Sequence, residues 1–177
     1  QQALRQALCA KGGGSASDLF LAQHAMLHAA AVSGVDQATF EDEVWAGLPD
    51  VAARVIPSRM EHSIAWCVWH VTRIEDMVLN GLIAGEAQVW DRGGWSGLVG
   101  VTSRDTANAL LPAEILALSR ALDLTALRAY RAEVGRNTRE IIRTLDPAEY
   151  RRRTDPVRLR ALRDDGSIDP RSGWLAE

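Results

Sequence analysis

The stretch Ser63–Gly85, SIAWCVWHVTRIEDMVLNGLIAG, constrains the chain more than any other, because it is long, periodic and free of Pro. At about 100° per residue, Ile64, Cys67, Val71, Ile74, Val78 and Leu82 fall on one stripe. That pattern predicts an amphipathic helix burying the stripe against a core. Ser63 is placed to cap its start, and Gly85 to end it in the left-handed conformation.

Two residues break the apolar logic. His70 lies on the flank of the stripe, where its ring can enter a cavity between helices. Glu75 falls inside the stripe, where a carboxylate has to be hydrogen-bonded, paired or close to a metal, because an unpaired buried charge is costly. The spacing of Glu75 from His70 does not place the two on one face. Trp66 and Trp69 lie elsewhere on the helix, which predicts neighbours on more than one side. Cys67, on the stripe, is expected to be a buried free thiol. With Cys9 it makes no disulfide framework.

The flanking segments read as further helices. Residues 1–11 predict a short one, broken by Gly12, Gly13 and Gly14. The next is capped by Ser15 or Ser17, runs to about Val32 and stops at Gly34. It is apolar nearly all round, interrupted by Gln23, His24 and His28, and a spacing of four puts the two His on one side. Thr39 followed by Glu41, Asp42 and Glu43 predicts a capped start. Pro49 and Pro57 limit the following pieces to short turns. Residues 86–111, with Gly93, Gly94, Gly97, Gly100, Trp90 and Trp95, predict a long irregular crossover, a kind of loop that is often functional.

Pro112 fits the first turn of a further helix. Asp123 or Thr125 caps the next, in which Leu127, Tyr130, Val134, Thr138, Ile141 and Leu145 recur every three or four residues. Gly135 within it is either a weak spot or a close packing contact. Pro147 opens a short basic segment, in which Arg151, Arg152 and Arg153 read as a solvated face. Pro156 opens a helix to about Arg163, and DDGS then makes a turn.

A length of 177 residues argues for one domain, and 47% apolar content is enough to bury a core. The formal charge of −3 leaves no basic footprint for nucleic acid. No run of 18 apolar residues exists to span a membrane, and the start lacks the apolar core of a signal peptide. The cytoplasm is the expected compartment. There is no Gly-x-Ser-x-Gly, phosphate loop or dinucleotide fingerprint.

SIAWCVWHVTRIEDMVLNGLIAG resembles the second helix of the DinB-like superfamily, with its Ser-Ile start, its Trp-His pair and an acidic residue one turn later. QHAMLHAA at 23–30 and TFEDEVWAGL at 39–48 are similar to the same family, and the resemblance spans roughly Leu19 to Leu145. It implies an all-α fold, a four-helix bundle in a single domain over 1–177 with the Gly/Trp-rich crossover across one end of its cavity. It also implies a divalent metal, zinc or nickel, held by three His: one at the position of His70, and a His-x-x-x-His pair on the last long helix. Relatives use bacillithiol or mycothiol as transferases or isomerases, so a low-molecular-weight thiol and an electrophilic small-molecule substrate are expected. This chain carries no His after His70, so the pair has no match. Either that helix lies past Glu177, or it is lost, or the site is built differently. His24 and His28 are then candidate ligands with His70, or else line the cavity, and Glu75 is a candidate acceptor orienting a ligand His. The second reading is a non-catalytic helical module whose first helix makes a homodimer or binds an apolar ligand.

Overall fold

The computed structural model describes residues 14–58 and 60–172, and its described elements are all helical, with no strand. The expected helix at 1–11, Cys9 and the Gly173–Leu175 segment lie outside the described residues. None of the described helices is long and apolar enough to cross a membrane. The chain divides into two compact units, Gln1–Gly47 with Gly135–Arg153, and Leu48–Val134 with Thr154–Glu177.

The first unit opens with α1 (Gly14–Leu27), α2 (Ala30–Ser33) and α3 (Phe40–Trp45). The single helix expected up to Val32 is broken at His28 and Ala29, where the backbone turns extended (Ala29 φ −51°, ψ 141°). The break strands the N–H groups that open α2, and carboxylates from α3 take them. Ala29 N donates to Glu41 Oε2 at 3.2 Å and Ala30 N to Asp42 Oδ2 at 3.0 Å. Asp42 is held in turn by the capping box it forms with Thr39, as the sequence predicts. Gly34 ends α2 with φ 73°. Ser15 and Ser17 lie inside α1 rather than capping it, and the Ser17 hydroxyl bonds that of Tyr150.

The second unit holds α4 (Asp50–Ala53), α5 (Ile64–Asp76), α6 (Val89–Arg92), α7 (Trp95–Val99), α8 (Pro112–Ala121) and α10 (Pro156–Asp164). Between them, α9 (Leu124–Thr144) passes from the second unit to the first after Val134, and a 3-10 turn follows at Pro147–Arg151. Ser63 caps α5 through Trp66 N at 3.0 Å, and Asp123 caps α9 through Ala126 N at 2.8 Å, both as expected. Arginines close two helix ends. Arg54 donates to the carbonyls of Ser119 and Leu122 at the end of α8, and Arg158 to those of Leu82 and Ile83.

The α5 stripe is the main correction. Its buried residues are Ala65, Trp66, Trp69, Thr72, Arg73 and Asp76, on nearly the opposite side from the predicted stripe. Val71 is 45% and Ile74 37% exposed, and Cys67 is exposed rather than buried. The reason is a polar network that satisfies itself. Asp76, fully buried, accepts hydrogen bonds from Arg73 Nη1 (2.9 Å), Asn80 Nδ2 (2.8 Å), Val89 N (2.8 Å), Trp90 N (2.9 Å) and the Tyr130 hydroxyl. Arg73 spends its remaining donors on the Arg104 carbonyl, Gln88 Oε1 and the Tyr130 oxygen, and lies 5.3 Å from the centre of the Trp90 ring. Trp69, Trp90 and Tyr130 pack edge to face beside the pair. Burial pushes the Tyr130 hydroxyl well above its ordinary pKa, so it stays a neutral donor.

After Asp76 the helix widens into a π-helix over Met77–Ala84, which Gly85 ends at φ 72°. On that wider turn Asn80 reaches Asp76 and accepts from Arg92 at 3.0 Å.

Replacing Asp76 by Ala leaves the Arg73 guanidinium buried without its carboxylate. Urea unfolding is expected to show a loss of about 3–5 kcal/mol, whereas Ile74→Ala on the exposed face changes stability by less than about 1 kcal/mol.

Candidate functional site

The first unit concentrates the metal-ligand chemistry. His24 and His28, both buried, stack with ring centres 4.3 Å apart and planes 21° apart, and Phe20 stacks on His24 at 5.9 Å. The sequence placed the two His on one side by their spacing, and their rings do lie together. Each offers a ring nitrogen, and these lie within 4.8 Å of one another, so the pair could supply two ligand atoms to one metal ion. Glu41 Oε2, fixed by Ala29 N–H, stands 3.9 Å from His28 Nδ1. A carboxylate so placed can orient the ring and raise its basicity. Sequence reasoning gave Glu41 only to a helix cap; its place three residues into TFEDEV held no further signal.

Gly135 explains how His28 fits. A Cβ built there would meet His28 Nδ1 at 2.5 Å and Val32 Cγ1 at 3.0 Å. Gly135 is therefore the close packing contact, not the weak spot.

His70 belongs to the second unit. It is half-buried, and its Nδ1 stands 2.6 Å from the Thr106 carbonyl. A carbonyl only accepts, so Nδ1 is the donor of this bond. His62, Trp66 and His70 form a stacked ladder at 3.8 and 4.5 Å, and Trp66 Nε1 donates to the Ala107 carbonyl. His62 is half-buried. The loop that receives both rings is held in a rare conformation. Ala107 has φ 59°, and its N–H bonds Asp105 Oδ1 at 2.6 Å. A ring fixed through Nδ1–H to a backbone carbonyl is the usual posture of a metal-ligating His. Among the described residues of this unit, no two other His, Cys, Asp or Glu donors gather with it. Glu75, half-buried on α5, offers a carboxylate oxygen of the kind that could serve a metal.

The crossover is less irregular than expected, since α6 and α7 lie within it. Its first residues border a cleft of about 180 Å³, where Gln88 and Asp91 meet Gly81, Gly85, Arg158 and Asp165. Two of the carboxylates that line it, Asp91 and Asp165, are bridged by Arg104 at 3.0 and 2.9 Å. Arg151, Arg152 and Arg153 are exposed, as expected.

Residues 37–164 match the profile of the DinB superfamily. No curated protein matches the chain.

Two outcomes follow from this geometry. Gly135→Ala should lower the melting temperature although Ala is the better helix former by about 1 kcal/mol, and adding His28→Ala should recover most of the loss; a double-mutant cycle by thermal melts reads this coupling. Cys67 should be modified readily by a thiol reagent, but only at alkaline pH, because partial burial raises its pKa above the ordinary 9.0. In a Cys9→Ser background, the alkylation rate should rise with pH through that raised value, since only the thiolate reacts.

Proposed function

The chain belongs to the DinB superfamily, and from that premise we propose that it is a divalent-metal protein acting on small electrophilic molecules with the help of a low-molecular-weight thiol, as a transferase or isomerase. The observation that carries this reading is the buried, stacked His24–His28 pair with Glu41 beside it. Zinc or nickel suits imidazole donors, and the metal would supply a Lewis acid that keeps a bound thiol deprotonated. What the chain itself contributes is positional. The break after α1 leaves the Ala29 amide to hold Glu41, Glu41 faces His28, and Gly135 leaves the room that the His28 ring occupies. Chemistry with a free thiol suits a reducing compartment, in keeping with a place in the cytoplasm.

A second reading has support of its own. Met26 and Leu27 at the end of α1, and Phe40 at the start of α3, are exposed. Exposed apolar side chains on the first helices favour a helical module that pairs as a homodimer or takes an apolar ligand.

Zinc and nickel titrations of the full chain, read by calorimetry after chelation, separate the two. His24→Ala and His28→Ala should each weaken binding by more than the roughly 10–100-fold typical of an outer-shell loss, and Glu41→Gln by an amount within that range. His70→Ala and Glu75→Ala, titrated beside them, assign or remove these two as contributors. A chain that sediments as a dimer and binds neither metal supports the module instead.

A further inference from the structure

We infer that Thr138 and Arg139 form an anion subsite in the first unit that takes a small carboxylate. At about 100° per residue, Arg139 and Thr138 lie to either side of the direction in which Gly135 faces His28, one turn further along α9. Both are deep in the unit, Arg139 at 8% exposure and Thr138 at 0%. Arg139 gives one bond, from Nη1 to the Leu21 carbonyl at 3.0 Å, and its Nε has no acceptor among the described residues. No ion pair among the described residues includes it; Arg143 leans on Glu140, and Arg152 on Glu149. Burial, and after it the nearby Arg143 cation, holds the Arg139 pKa below that of an ordinary guanidinium.

Thr138 repeats the pattern. A helical Thr hydroxyl usually bonds the carbonyl one turn back, yet Thr138 Oγ1 has no partner among the described residues. Buried polar groups are almost always satisfied, and the exceptions call for a water, an ion or a ligand. Here two buried side chains, neighbours in sequence, each leave a donor unused, and one of them carries a positive charge. A guanidinium fork fits a carboxylate, and a hydroxyl adds a further donor.

The subsite gives the proposed chemistry a substrate class, a carboxylate-bearing thiol or electrophile. That step rests on the metal reading, because the rise along α9 from Gly135 to Arg139 is about 6 Å and the His28 ring packs on Gly135. The subsite itself does not need the metal.

The test is calorimetry of the full chain at pH 7 in the presence of chelator, titrated with succinate, with its neutral isostere succinamide and with inorganic phosphate. Succinate should bind and succinamide should not. Arg139→Gln should weaken succinate by at least about tenfold, Arg139→Lys should fall between it and the parent because charge remains and the fork is lost, and Thr138→Val should show a smaller loss. Circular dichroism checks that Arg139→Gln is folded, and Arg139→Lys carries the test if it is not. A parent chain that ignores succinate, or a folded Arg139→Gln or Arg139→Lys variant that binds it as the parent does, overturns the subsite. Phosphate binding tighter than succinate overturns the carboxylate class. Zinc titration of Arg139→Gln keeps the two readings apart: succinate loss with intact zinc binding supports the subsite, and a parent that binds succinate but no zinc sinks the metal reading alone.

Discussion

The second unit depends on one buried ion pair, Arg73 with Asp76. Two charges removed from water are costly, and their mutual attraction offsets that cost only when the remaining donors and acceptors are also met. Here they are. Asp76 accepts from two side chains beyond Arg73 and from the two backbone N–H groups that open α6, while Arg73 reaches a carbonyl, an amide oxygen and a phenol. Each of those bonds also fixes a segment. Val89 and Trp90 tie the start of the crossover to α5, Arg104 ties its later part, and Tyr130 ties α9. The pair therefore specifies how long, Gly-rich loops lie, where apolar packing alone would leave several arrangements of similar energy.

The first unit uses the same physics at smaller scale. Breaking a helix exposes amides that have to be paired, and Glu41 and Asp42 pair them. The capping box at Thr39 holds Asp42 rigid, so the carboxylates arrive in fixed positions. Glu41 is thereby held facing His28. An acid at that place owes its position to a helix cap and its chemical interest to the imidazole in front of it.

Helix boundaries marked by local chemistry were legible in the sequence. Ser63, Thr39, Pro112, Asp123, Gly34 and Gly85 all act at helix ends as their types dictate, because a cap depends on neighbours within four residues. The family was legible too, through the run around His70. The buried face of α5 was not. Counting apolar residues sends Arg73, Thr72 and Asp76 outward, since the count treats each as a lone polar group. Only their mutual pairing makes burial tolerable, and a spacing of three between an Arg and an Asp is too common to announce it. The signal present was the aromatic one: Trp66 and Trp69 lie on the Arg73 side of the helix, and large rings rarely face water. The break at His28 was equally hidden, because LHAAAV holds no Gly or Pro to announce it; the acids that stabilise the break lie a dozen residues further on.

Irregular backbone and buried or oriented polar side chains coincide at several places among the described residues. His28 sits at the α1 break, Asn80 within the π-helix, and His70 against a loop whose Ala107 has a positive φ. The cause is general. A regular helix satisfies its own N–H and C=O groups and leaves polar side chains to water, where they are mobile. A departure from regularity frees backbone groups that then recruit side chains, and a recruited side chain has a fixed position and orientation. Thr106 fixes His70 by accepting a hydrogen bond from its Nδ1, and the Ala29 N–H fixes Glu41 by donating to it. The strained or broken segments therefore cost some stability and give rigid, oriented imidazoles and carboxylates, which is the condition any metal or anion site in such helices has to meet.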